Sequence, residues 1–111
     1  MTSTYKIAGQ AAPAANTDTT LYTVGSGKQF VGSSLVICNR NTAGVASKYR
    51  VAVVPSGGTL ANANYLIYDN FIDSRETKTR TIGISLAVGD FVVVRSDSAD
   101  LSFTLFGAEL T

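Results

Sequence analysis

Short runs of alternating apolar and polar residues, separated by turn-forming residues, constrain this chain more than any other feature. From residue 20 onward the runs have a period of two, and Gly, Pro, Asn and Asp lie between them. Alternation with this period predicts β-strands, whose successive side chains point to opposite faces of a sheet. No window of helical length keeps a 3.6-residue period. The sequence therefore predicts an all-β chain.

Seven strands follow from this alternation, and a short run near the N-terminus adds an eighth. The most regular run is 48–54, in which Tyr49, Val51 and Val53 share one face. Seven to eight strands at this spacing predict a single antiparallel β-sandwich. Eight is also the strand number of a jelly roll, although periodicity does not determine strand order. The predicted strands are 5–8, 21–24, 29–39, 48–54, 65–69, 77–86, 91–95 and 101–106.

The run 29–39 is apolar on both faces. Strict alternation places Leu35 and Ile37 on one face and Phe30 on the other, so we expect cover on both sides over part of its length. Cys38 in the same run is the only cysteine. Its apolar surroundings predict a buried small hydrophobe rather than a reactive thiol.

The length of 111 residues predicts one domain, with the β-sandwich over residues 20–111. Residues 1–19 differ, because 9–18 contains no large apolar residue while Tyr5 and Ile7 lie beyond it. Two interpretations remain open for this segment. It is either an extended arm that adds a strand to a neighbour's sheet, or a first strand plus a linker.

Charge patterning argues against nucleic acid or membrane as the main partner. The net charge is +1, and both signs are scattered along the chain. Charged residues make up 15% of the chain, below the ~25% that is usual, and small neutral residues replace them. Such a surface favours contact with a neighbouring subunit. The N-terminus does not resemble a secretory signal, and no run approaches the ~20 apolar residues of a bilayer span.

Enzymatic chemistry is not expected. The chain has no histidine, which excludes Ser-His-Asp and Cys-His arrangements. A lone cysteine permits neither an intrachain disulfide nor a Cys-rich metal site. Asp69, Asp73, Glu76 and Asp90 lie at turns or strand ends, where carboxylates usually cap the backbone. We predict no catalytic residues, no cofactor and no metal.

Three groups of residues are candidate protein contacts. The first is the possible N-terminal arm, and the second is the turn-forming cluster at 39–44. The third is a small basic group flanked by Asp73 and Glu76, which favours an ion-paired surface or subunit contact over a nucleic-acid patch. The candidate interface residues are Tyr5, Lys6, Ile7, Asn39, Arg40, Asn41, Arg75, Lys78 and Arg80.

Five segments, in this order, resemble a family of small virion proteins of tailed bacteriophages, including cyanophages. They are TLYTV (20–24), SSLVICNR (33–40), YLIYD (65–69), IGISL (82–86) and LSFTLFG (101–107). The most specific elements are SLVICNR and the Tyr-x-x-Tyr-Asp strand that follows it. The resemblance covers nearly the whole chain after about residue 18.

This resemblance implies a structural protein of a phage particle, made in the cytoplasm of the bacterial host and located in the virion. It favours a capsid decoration or cement protein that binds the major capsid protein as a homo-oligomer, with a trimer expected. A tail, baseplate or fibre component in contact with the host surface is the alternative. A carbohydrate-binding module is a third hypothesis, which rests on Tyr22, Tyr65 and Tyr68 alone.

Overall fold

A computed structural model of the protein describes residues 2–111. That range is all-β, as the sequence predicts, with one short 3₁₀ turn at Asn62–Asn64. None of its helical segments is long and apolar enough to span a membrane. The strands are β1 (Ser3–Ala11), β2 (Thr19–Thr23), β3 (Gln29–Asn39), β4 (Ser47–Val54), β5 (Tyr65–Ile72), β6 (Thr77–Leu86), β7 (Phe91–Ser96) and β8 (Leu101–Leu110).

The strands form two antiparallel four-stranded sheets with the order of a jelly roll. One sheet has the order β1-β8-β3-β6 and the other β2-β7-β4-β5. Each strand of the first half therefore pairs with its counterpart from the second half: β1 with β8, β2 with β7, β3 with β6 and β4 with β5. This is the pattern of a long hairpin folded over into two Greek keys. The structure confirms the predicted sandwich and supplies the strand order.

The core lies between the two sheets and is centred on β3 and β8. Leu35 and Ile37 of β3 pack with Phe103 and Leu105 of β8, and all four are almost completely buried. Tyr49 enters from the opposite sheet, with its ring centroid 6.3 Å from that of Phe103 in an edge-on arrangement. Burying one such side chain contributes roughly 1.5–3 kcal/mol, so this cluster is the main source of stability.

A β-bulge in β3 overturns the predicted division of that strand into two faces. The register with both neighbouring strands shifts between Gly32 and Ser34. Phe30 therefore faces the core together with Leu35, although strict alternation placed the two on opposite faces. Ser33 is the extra residue, and its hydroxyl donates a hydrogen bond of 3.2 Å to the Phe106 carbonyl.

The segment before residue 20 contains β1, which pairs with β8 of the same chain. Its inward residues Ala8 and Ala11 are small, and they are only partly buried against the core. Its large apolar residues point outward, with Tyr5 87% exposed and Ile7 53% exposed. Main-chain hydrogen bonds rather than buried side chains therefore hold this edge strand in place.

A second, smaller apolar cluster lies on the outer face of the other sheet. Ala52, Val54 and Val93 are buried there beneath Leu60 and Tyr65. Alternation at 48–54 predicts burial of the face with Tyr49, Val51 and Val53 alone, but the segment that follows β4 folds back over the other face. Both faces of β4 are therefore covered near its C-terminal end.

Gly107 generates a test of the packing between β8 and β3. A Cβ at this position would overlap the Val31 carbonyl oxygen and the Phe30 ring. Gly107→Ala should therefore lower the free energy of unfolding by about 1–3 kcal/mol in urea denaturation, because a buried strand pair cannot readily move apart. Gly83 of β6 is the matched control, since an added Cβ there meets nothing within 4 Å. An equal loss in Gly83→Ala would contradict this explanation.

Candidate interaction surfaces

The outer face of the β1-β8-β3-β6 sheet carries no charged side chain among the described residues. The strand register defines this face, as in the row Tyr5, Ala108, Val31 and Ser85. We call it the neutral face. Its members are Ser3, Tyr5, Ile7 and Gln10 of β1, Ser102, Thr104, Phe106, Ala108 and Leu110 of β8, Gln29, Val31, Ser34, Val36 and Cys38 of β3, and Thr77, Thr79, Thr81 and Ser85 of β6.

The neutral face combines exposed apolar groups with hydroxyl groups. Tyr5, Ile7 and Val31 are exposed to 87%, 53% and 43%, and hydroxyl side chains cover the β6 side. The chain has nine Lys and Arg and eight Asp and Glu, yet covering this face removes no charge from water. Removing water from this face therefore costs little free energy, as at the core of a protein interface.

Two features lie on or beside the neutral face. At one end it continues into a hollow of about 350 Å³, which is lined mainly by uncharged residues such as Val88 and Leu110 but also by Lys28. Toward the other end lies Cys38, which is only partly buried. The prediction of a buried cysteine is therefore wrong, because Cys38 sits on the outer side of β3 and not on its core side.

The predicted contacts of the N-terminal segment divide between two sides of β1. Tyr5 and Ile7 belong to the neutral face, whereas Lys6 points to the other side. The Lys6 ammonium lies 3.4 Å from the Glu109 carboxylate, and the Lys28 ammonium lies 3.3 Å from it. Tyr22 of β2 donates a hydrogen bond of 3.2 Å to the same carboxylate. Glu109 therefore links the two sheets at this end of the sandwich.

Proton affinities in this cluster reflect both burial and the neighbouring donors. Burial by itself raises the pKa of Glu109, but the Lys28 ammonium and the Tyr22 hydroxyl outweigh it and hold that pKa below its ordinary value. Burial and the adjacent carboxylate raise the pKa of Tyr22 to about 12. The cluster thus favours an ionised Glu109 next to a protonated Tyr22.

Asn39, a predicted contact residue, is completely buried. Its amide donates hydrogen bonds to the carbonyls of Ile72 at 3.1 Å and Val45 at 3.2 Å. Its side-chain oxygen accepts a 3.0 Å bond from the backbone N–H of Asn41. The side chain therefore holds the loop after β3 in place, and its candidacy as a surface contact is corrected.

Three other predicted residues meet at this same end, where three loops are joined. Arg40 donates to the Ala99 carbonyl at 2.7 Å, and Arg75 donates to the Thr42 carbonyl at 3.2 Å. Asn41 donates to the Asp100 carboxylate at 3.1 Å. Their side chains therefore bind the loops at 40–46, 73–76 and 97–100 to one another. Tyr5 and Ile7 lie toward the far end of β8, about 20 Å away.

Lys78 and Arg80 lie apart from Arg75 and close the side of the sandwich. Both point inward from the edge strand β6. Lys78 donates to the Phe71 carbonyl at 2.6 Å, and Arg80 donates to the Tyr49 hydroxyl at 3.1 Å. The predicted basic group thus divides into one residue at the loop end and two that bridge the sheets.

The outer face of the second sheet carries a feature that sequence reasoning missed. Asp69 has a φ of 54°, and the pairings Tyr49–Asn70 and Val51–Ile67 leave two β5 residues opposite Arg50. This bulge lets Asp69 pair with Arg50 at 2.7 Å while Tyr68 lies against the same guanidinium. The hydrogen bond that Arg50 donates to Asp69 raises the pKa of the Arg50 guanidinium and lowers the pKa of the Asp69 carboxyl group. The Tyr-x-x-Tyr-Asp pattern predicts the strand that carries Tyr68 and Asp69. Nothing in the sequence around Arg50 indicates that it pairs with that strand's bulge.

Within residues 2–111, the side chains form no group of three or more Cys, Asp or Glu placed to hold a metal ion. Two surfaces stand out: the neutral face on one sheet and the Arg50 region on the other. The fold and these surfaces describe a small jelly-roll protein with two chemically different faces.

Comparison with known proteins supports the fold. A scan against protein-family models and a search of curated proteins gave no match. A search of solved structures gave a chain from the structure of infectious bursal disease virus, Gx strain, with a TM-score of 0.53 and 11% sequence identity. The match covers 97% of this chain and 31% of the viral chain. At this identity the likeness shows a shared β-sandwich fold and nothing further.

The Glu109 cluster predicts a pH dependence of stability. Because the pKa of Glu109 is lower in the folded chain than its ordinary value, its stabilisation is present above that value and is lost as pH falls through the folded pKa. The difference in unfolding free energy between wild type and Glu109→Gln should therefore be largest at neutral pH and shrink in acid. Urea denaturation across this pH range measures it, with Glu76→Gln as the reference for removing a carboxylate. A difference independent of pH would contradict the proposed role of the charge.

Proposed function

We propose that this protein is a non-enzymatic structural component of a tailed-bacteriophage virion, and that it acts as a capsid decoration protein. The neutral face is the observation that carries the proposal. In this arrangement it lies against the major capsid shell, and the protein stabilises the shell by joining neighbouring capsid subunits. The family resemblance of the sequence supports the phage setting.

The size of the neutral face supports attachment by several copies. Four strands at about 4.8 Å spacing and about ten residues at 3.4 Å give a face of roughly 600 Å². A standard interface buries about 800 Å² of accessible surface per partner, so one copy offers a contact of no more than about standard size. A homo-oligomer, for which we propose a trimer, binds through several such faces at once and gains affinity from the linkage.

The structural neighbour is consistent with a virion setting. It is a chain from a virus structure, and it contains a region with the fold of nearly this entire chain. The jelly roll is common among viral capsid domains. This support is an analogy of fold only. The observation on this chain itself that supports the proposal is the neutral face.

A tail or fibre component is the second candidate, and one observation favours it. Tyr68 and Phe71 are 56% and 61% exposed on the sheet opposite the neutral face. Exposed aromatic residues suit contact with a host surface. Copy number separates the two candidates: a decoration protein is present in hundreds of copies and stays with tail-free heads, whereas a tail component is present in far fewer.

A charge placed on the neutral face should prevent attachment. Val31 is exposed in the isolated chain, so Val31→Lys should fold normally yet lose most binding to purified shells, because docking would bury an unpaired ammonium. Leu66 is similarly exposed at the edge of the other sheet, and Leu66→Lys is the matched control. Co-sedimentation with shells measures the difference. Equal binding of the two variants would contradict docking through the neutral face.

Cys38 provides a reporter that needs no substitution. It is the only cysteine and lies partly buried on the neutral face. A maleimide should label it measurably in the isolated protein and much more slowly in intact particles, with the rate restored after dissociation. Labelling at the same rate in both states would show that a partner does not cover this face.

A further inference from the structure

The outer face of the β4-β5 pair carries an aromatic group that is not needed for the main core. We call Tyr65, Tyr68 and Phe71 the aromatic platform. The Tyr65 and Tyr68 rings meet edge to face, with centroids 4.9 Å apart. The Arg50 guanidinium lies 4.2 Å from the Tyr68 centroid, yet Tyr68 remains 56% exposed. The ring is therefore held in a fixed position while much of its surface stays open to solvent.

A polar hollow adjoins the platform. It measures about 130 Å³, and its charged lining consists of Lys48, Arg50, Arg95, Asp69 and Asp97. Asp18 lies beside this lining, 3.4 Å from Arg95, so that three cations face three carboxylates. Within the described part of the chain, the Lys48 ammonium has no carboxylate within ion-pair distance and lies 5.8 Å from the Phe71 ring centroid.

The backbone at this site adopts a conformation that side chains rarely take. Asp69 lies in the left-handed region, with a φ of 54°. Asp tolerates that region better than most residues, but it still carries a conformational cost. The bulge sets Tyr68 and Asp69 together opposite Arg50, so the unusual backbone orders an open aromatic ring beside a charged pair.

We propose that the aromatic platform and the adjoining hollow bind a glycan that carries carboxylate-bearing pyranose rings. The C–H face of a pyranose stacks on the open part of Tyr68, and the amphipathic ring of tyrosine suits such contact. A sugar hydroxyl group both donates and accepts hydrogen bonds, so it can contact a carboxylate and a cation that lie side by side. The sugar carboxylate binds at Lys48, the cation of this group that has no carboxylate within ion-pair distance among the described residues.

The interleaved charges favour a glycan over a single-stranded nucleic acid. A nucleic-acid groove needs cations that follow a phosphate backbone without intervening carboxylates. Here Asp69 pairs with Arg50 at 2.7 Å, and Asp18 lies 3.4 Å from Arg95. A phosphate on every nucleotide would meet both carboxylates, whereas a glycan also has hydroxyl groups that donate hydrogen bonds to them, and its own carboxylate binds at Lys48.

The platform lies on the sheet opposite the neutral face. If the neutral face docks on a virion, the platform faces outward and is available to surface polysaccharides of the host. That placement rests on the proposed function, but glycan binding itself does not. The test therefore uses the isolated full-length protein, so that the two proposals fail separately.

The experiment is calorimetric titration with a galacturonic acid tetramer and, as the neutral probe, a galactose tetramer. The acidic tetramer should bind more tightly, and its affinity should fall with added salt because the contact is charge-assisted. Tyr68→Ala should weaken binding about tenfold through the lost ring contact. Tyr68→Phe keeps the ring and should stay close to wild type.

The controls separate a local site from a folding defect. Tyr5→Ala removes the most exposed tyrosine of the neutral face and should leave affinity unchanged. Lys48→Gln removes the charge but keeps a polar side chain, and should remove most of the preference for the acidic tetramer. No binding of either tetramer, equal loss in Tyr5→Ala and Tyr68→Ala, or tighter binding of a single-stranded oligonucleotide would each overturn the proposal.

Discussion

The antiparallel pairing of β3 with β8 is the constraint on which the rest of this molecule depends. Its inner side chains, such as Leu35 and Phe103, form the centre of the core, and its outer ones, such as Val36 and Thr104, form the centre of the neutral face. Because side chains alternate, a slip of one residue would expose the core and bury the hydroxyl groups. The same register therefore specifies both stability and the proposed contact surface.

Much of the fold is predictable from the sequence, and the exceptions have local physical causes. The strand at 101–106 keeps an unbroken alternation, and its apolar residues Leu101, Phe103 and Leu105 are the buried ones. The faces of β3 were not predicted correctly, because the bulge at Ser33 reverses the alternation beyond it, and the neighbouring Gly32 gives only a general indication of a bulge. The order of the strands was also unpredictable, since every pairing except that of β4 with β5 joins segments far apart in the chain and leaves no local pattern.

The candidate surfaces were predictable only in part, for the same reason. Tyr5 and Ile7 stand out as large apolar residues in a segment with few others, and the structure places both on the neutral face. Asn39 lies in a cluster whose composition predicts an exposed turn. It is buried because its amide donates a hydrogen bond to the backbone carbonyl of Ile72, which is far away in the sequence. The neutral face emerges only when four strands are set side by side, because each strand alone contributes only an ordinary mixture of apolar, amide and hydroxyl side chains.

The two outer faces of the sandwich differ in chemistry: one is neutral and suits contact with a protein shell, and the other is charged and suits a polar ligand. The central claim is that the protein docks through the neutral face and leaves the aromatic platform open, and a cryo-EM map of intact particles tests this most directly. The account predicts many copies arrayed on the capsid, with the neutral face against shell subunits and the aromatic platform toward solvent. Copies attached through the aromatic platform, with the neutral face open to solvent, would contradict it.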